Sequence, residues 1–93
     1  MIQNWDKSEH DFKNQPSNTK LETGFNYIGS KKITSIKPSC SCVVTNFKNN
    51  ILNCRWKLPN VKDTYESYKY ITVHYEDNSF DTLTLKAFIN GKA

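Results

Sequence analysis

Residues 52–58 read Leu-Asn-Cys-Arg-Trp-Lys-Leu, an unbroken alternation of apolar and polar side chains. Side chains on a strand point to opposite faces in turn, so Leu52, Cys54, Trp56 and Leu58 share one face, and Asn53, Arg55 and Lys57 the other. Such a strand has one face in a core and one in water, the pattern of an antiparallel sheet with a solvated side.

The same period recurs from residue 21 onward. Residues 21–28 place Phe25 and Tyr27 on one face, and residues 33–36 form a short strand that Pro38 ends. A strand is expected over residues 40–47, with Cys40, Cys42 and Val44 facing one way. Residues 68–75 put Ile71, Val73 and Tyr75 together, and residues 80–89 put Leu83, Leu85, Ala87 and Ile89 inward. Gly29-Ser30-Lys31-Lys32, Lys48-Asn49-Asn50 and Glu76-Asp77-Asn78-Ser79 supply turn chemistry between them. No segment there has a helical period. Six short strands separated by turns imply an all-β fold, a small immunoglobulin-like β-sandwich of about six to seven strands. The expected core is Phe25, Tyr27, Ile33, Ile36, Val44, Leu52, Trp56, Leu58, Ile71, Val73, Leu83, Leu85 and Ile89.

The first 20 residues differ. They are polar apart from a few apolar residues that include Trp5 and Phe12, which lie seven positions apart. Two regions of different behaviour are therefore expected: an extended arm over residues 1–20 and the sandwich over residues 21–93. The arm would dock Trp5 and Phe12 on a neighbour, and its removal would leave the sandwich folded. A sandwich of six strands has poorly protected edges, which an arm or a partner would cover.

At 93 residues the chain is one domain with a thin stability margin. Its net charge of +4 comes almost wholly from lysine, with Arg55 the single arginine. Base readout leans on arginine, asparagine and glutamine, so a diffuse lysine excess points to solubility or weak attraction rather than to a nucleic-acid partner. Residues 1–6 lack the basic and apolar regions of a secretory leader, and no apolar run is long enough for a membrane helix. A reducing compartment is expected, in which three cysteines default to free thiols.

The order of a Phe-x-Tyr strand, a Gly-Ser turn, an Ile-Thr-Ser-Ile-Lys-Pro-Ser-Cys-Ser-Cys block and a Tyr-Ile-Thr-Val-x-Tyr strand resembles a family of bacterial domains. These domains are marked by a Pro-Ser-Cys-Gly-Cys motif and look like the PapD and major-sperm-protein branch of the immunoglobulin-like sandwiches. The likeness spans residues 25–89. Ser41 stands where that family has glycine, Asn49-Asn50 replaces its Pro-Gly turn, and its secretion signal is missing. The resemblance implies binding or scaffolding, and the departures suit a virion or host-cytoplasm setting, as a phage capsid or tail decoration.

For the cysteines, three chemistries compete. Cys40, Cys42 and Cys54 can be small buried hydrophobes. They can form a tetrahedral soft-metal set completed by His74 or His10. Alternatively, Cys54 can form a disulfide with one of the other two. No cofactor is expected. Two histidines in unrelated contexts give no nucleophile–base signature, and the carboxylates Glu76, Asp77 and Asp81 sit about a solvated turn, so no enzyme is expected. The expected function is that of a non-enzymatic protein-interaction or structural module with a protein partner or a homo-oligomeric assembly, no small-molecule substrate and no membrane. Its contact residues would be Trp5, Phe12, Tyr68, Tyr70 and Phe88. The rival is a small metal-binding protein.

Overall fold

The computed structural model describes residues 4–91; the ends of the expected arm (1–3) and of the expected sandwich (92–93) lie outside the described residues. It holds seven strands: β1 (Glu9–Pro16), β2 (Lys20–Asn26), β3 (Ile33–Pro38), β4 (Val43–Lys48), β5 (Ile51–Lys57), β6 (Tyr65–Tyr75) and β7 (Phe80–Asn90). They form one sheet of order β1-β7-β6-β3 and a second of order β2-β5-β4. The two sheets pack as an immunoglobulin-like β-sandwich, all-β as the alternation requires. All neighbouring strands run antiparallel except β1, which lies parallel to β7.

The turns reflect their residues. Lys48 pairs with Ile51, leaving a two-residue loop, and its Asn49 and Asn50 have φ of 55° and 62°. A hairpin this tight needs two left-handed residues to match the strand twist, and asparagine tolerates that region. At the β6–β7 turn Asn78 has φ of 69°, and the Asp77 carboxylate accepts the Ser79 N–H at 3.0 Å.

The core is built from the inward faces of both sheets. Trp56, Phe25, Leu52, Leu58, Ile71, Leu83, Leu85, Ile89 and Val73 are fully buried, with Tyr27, Ile33 and Ile36 half-buried against them. One member of the expected core is misplaced: Val44 is 62% exposed and Val43 is buried. A strand was expected to begin at Cys40, but residues 39–42 are bend and turn and β4 starts at Val43, so the inward parity shifts by one.

The expected arm is largely part of the sandwich. Residues 9–16 are an edge strand paired with β7 through Glu9↔Thr84 to Pro16↔Asn90. Ahead of it the chain crosses to the other sheet. The Asp6 N–H donates to Asn26 O at 3.0 Å, and the Ile28 and Gly29 N–H groups donate to Asn4 O at 2.8 and 3.1 Å. Trp5 is 4% exposed, its ring 5.0 Å from that of Tyr27 and 6.2 Å from that of Phe47. Its indole N–H donates to Tyr75 Oη at 2.8 Å, and the Tyr75 hydroxyl donates to Asp81 Oδ2 at 2.6 Å. Asn4 Nδ2 reaches the same carboxylate oxygen at 2.9 Å. Burial first, and the bond to Asp81 second, hold the Tyr75 hydroxyl well above the usual phenol range, so it stays a donor.

These contacts replace the expectation that residues 1–20 can be removed. Trp5→Ala is expected to destabilise the fold by about 3–5 kcal/mol. Tyr75→Phe should cost about 1–3 kcal/mol, because it strands the Trp5 indole N–H. Urea unfolding followed by tryptophan fluorescence checks both, and an unchanged midpoint for Trp5→Ala would remove Trp5 from the core.

Candidate interaction face and the cysteine turn

Cross-strand partners share a face, so the β6–β7 register defines the outer surface of the four-stranded sheet. Tyr68 lies opposite Lys86, Tyr70 opposite Thr84, Glu66 opposite Phe88, and His74 opposite Phe80. Tyr68 is 41% exposed, Tyr70 46%, Phe88 40% and Phe80 61%. Lys86 Nζ stands 5.7 Å from the Tyr68 ring centroid, a cation–π geometry. The Tyr68 hydroxyl donates to the Glu66 carboxylate, and that bond raises its ionisation range. Lys86 is raised in turn, first by Tyr68 and then by Glu66. On β1, Asp11 pairs with Lys86 across the parallel ladder, and its carboxyl is lowered chiefly by the Lys13 N–H at 2.8 Å.

Of the residues expected to contact a partner, the structure brings Tyr68, Tyr70 and Phe88 together on this face. It separates the other two. Trp5 is buried at one end of the sandwich, and Phe12 is half-buried, edge-on to Trp56 at 6.2 Å. Phe80 and Lys86 complete the face, and sequence parity with Phe88 would have marked both.

The metal set is not assembled. Cys40 and Cys42 are joined by a disulfide, and Cys54 is the free cysteine, buried in mid-β5. The bond departs from the expectation of three free thiols, and it is not the alternative disulfide to Cys54 either. His74 lies on the outer face, and the His10 ring packs on Phe12 at 4.5 Å. No group of three metal-ligating side chains occurs among the described residues. The disulfide closes the turn between β3 and β4: Val43 N–H donates to Cys40 O, and Lys57 N–H to Cys42 O, both at 3.1 Å. Burial pushes the Cys54 thiol up to about 12, so it remains protonated and unreactive near neutral pH.

Two concavities flank these features. One, of about 480 Å³, lies over the outer face of β2-β5-β4, where Glu22 and Arg55 pair at 3.0 Å in the open. The other, of about 510 Å³, lies between the sheets beside the disulfide and is lined by Trp56, Leu58, Tyr65 and Lys69 among others.

No protein-family model and no curated protein matches the chain. Among solved structures it is similar to the endo-fucoidan hydrolase MfFcnA4 from glycoside hydrolase family 107, with a TM-score of 0.64 and 9% identity over 96% of this chain and 14% of that one. A variant of the same hydrolase gives a TM-score of 0.65 at 7% identity, with the same coverage. The chain thus spans 14% of the length of these hydrolases, and at such identity the likeness shows the fold alone.

A thiol titration checks the cysteine turn. With three cysteines in the sequence and two of them bonded, the native protein without reductant should show no reactive thiol. Unfolding should release one, that of Cys54, and unfolding with prior reduction should release all three. Three reactive thiols in the unreduced, unfolded protein would exclude the disulfide.

Proposed function

We propose that this chain is a non-enzymatic protein-interaction module that contacts its partner with the outer face of the β1-β7-β6-β3 sheet. One observation carries this. Among the described residues, Tyr68, Tyr70, Phe80 and Phe88 are half of the eight large hydrophobics that stay exposed, and all four lie on this face. Single exposed apolar residues are ordinary, whereas Tyr68, Tyr70 and Phe88 stand at neighbouring register positions, a grouping that marks a contact surface, with Phe80 farther along the same face. Tyrosine is a favoured anchor because it buries a large ring at a small cost in side-chain entropy. Lys86 beside Tyr68 adds a cation that suits a partner with acidic or aromatic groups. The partner is a second copy of the chain or the surface of a larger particle, such as a capsid or tail.

The test is a variant carrying Tyr68→Ala, Tyr70→Ala and Phe88→Ala. Each side chain is partly in water, so each change should cost less than about 1 kcal/mol of stability. Light scattering across a concentration series, and quantitative capture from the source lysate, then compare it with wild type and with a Val44→Ala control on the opposite sheet. A loss of self-association or of captured protein by at least about tenfold in the triple variant alone supports the face. Equal behaviour of all three proteins overturns it.

A further inference from the structure

β6 runs for 11 residues, but its neighbour β3 has only 6. Their pairing stops at Pro38↔Ile71. Ser39 adds a last contact: its N–H donates to Tyr70 O at 2.7 Å, and its Oγ accepts the Tyr70 N–H at 3.0 Å. The chain then turns through the Cys40–Cys42 disulfide and crosses to β4. Residues 65–69 of β6 are therefore paired with β7 on one side and, among the described residues, have no strand on the other.

The backbone direction there is fixed. Tyr70 turns its N–H and C=O toward the β3 side, and in an antiparallel ladder alternate residues repeat that orientation. Tyr68 and Glu66 thus present their main-chain groups to the open edge, where neither has a hydrogen-bond partner among the described residues. The inward face of the same stretch carries Tyr65, Ser67 and Lys69, opposite Ile89, Ala87 and Leu85. It looks across the 510 Å³ groove to Trp56, Leu58 and the disulfide. Trp56 is 1% exposed, and its indole N–H has no acceptor among the described residues. Lys57 and Lys69 line this groove, and among the described residues no carboxylate does.

We infer that residues 65–69 form a strand-addition site for an extended, acidic segment of a partner protein. The inference rests on the interaction-module function and supplies the partner's form. The added strand takes up the free groups of Glu66 and Tyr68 as backbone hydrogen bonds, and side chains of one parity enter the groove. A lysine on the inward face of an open edge guards it against neutral strands, because entry would bury an unpaired charge. A carboxylate in the incoming strand removes that penalty at Lys69. A second copy is the weaker occupant, since each chain carries a net charge of +4.

The experiment pans a random peptide library displayed on phage against the full, unreduced chain. Enriched peptides are then titrated into wild type, Glu66→Pro and Lys69→Glu. Glu66→Pro removes an N–H that faces the open edge and spares the β7 ladder, so the domain should stay folded, as circular dichroism will verify. The expected result is enrichment of Asp and Glu at alternate positions and slowed amide exchange at Glu66 and Tyr68 on binding. Affinity should fall at least about tenfold in each variant. Failure to enrich, enrichment without acidic bias, or undiminished binding to folded Glu66→Pro overturns the inference. So does concentration-dependent protection of those amides with no peptide present, which would make the occupant a second copy. The outer-face triple variant is read separately. A partner lost there but kept by Glu66→Pro removes the edge and leaves the face, and the converse removes the face.

Discussion

The chain of hydrogen bonds from Trp5 through Tyr75 to Asp81 holds the two sheets in relation to each other. Trp5 belongs by backbone to the end of β2 in one sheet, while Tyr75 and Asp81 end β6 and begin β7 in the other. The indole fills the end of the core, so its N–H must find an acceptor inside the protein. Tyr75 supplies one because its own proton is committed to Asp81. Each group satisfies the next, and Asn4 donates a second bond to the same carboxylate. Removing any middle member leaves a buried donor without a partner, which costs more than the bond itself is worth.

That closure sets the course of β1. With Asn4–Asp6 fixed on the β2 side, the chain reaches β7 only by crossing the end of the sandwich, and it arrives parallel to β7. The parallel pairing results from this path, because nothing in the polar β1 sequence favours it. β1 keeps an irregularity between Asp11 and Asn14, where Lys13 has φ of 64°. A bulge of this kind twists an edge strand away from regular pairing, which discourages addition of another chain there.

Sequence alternation makes β2, β5, β6 and β7 legible, because each sets apolar core residues at alternate positions with wetter ones between them; the start of β6 is the exception, its inward Tyr65, Ser67 and Lys69 being only partly covered. β1 is not legible. It is a polar edge strand whose only large apolar residue is Phe12, and it is held by main-chain pairing that leaves no periodic trace. Trp5 misleads for a related reason: a tryptophan among polar residues looks like a surface anchor until the partner that buries it, distant in sequence, is known. The β4 phase is lost at the cysteines. A spacing of two reads as one face of a strand, whereas here it is a turn closed by a disulfide. Tyr68, Tyr70 and Phe88 can be placed outward from parity alone, since their strands alternate cleanly.

The open stretch of β6 has no sequence signature, because it depends on the difference in length between two strands far apart in the chain. That difference has a local origin. Pro38 turns its nitrogen to the outer edge of β3, away from β6, so the ladder runs one residue further, to Ser39, and ends there. Ser39 spends its N–H and hydroxyl on Tyr70, and the Cys40–Cys42 ring then commits the chain to the other sheet. β6 continues regardless, because β7 pairs with it from Tyr65 to His74. The disulfide turn therefore fixes both where β3 ends and which side chains wall the groove. A sandwich this small covers β7 with β1 and leaves the short edge beyond Ser39 exposed, guarded by an inward-facing lysine.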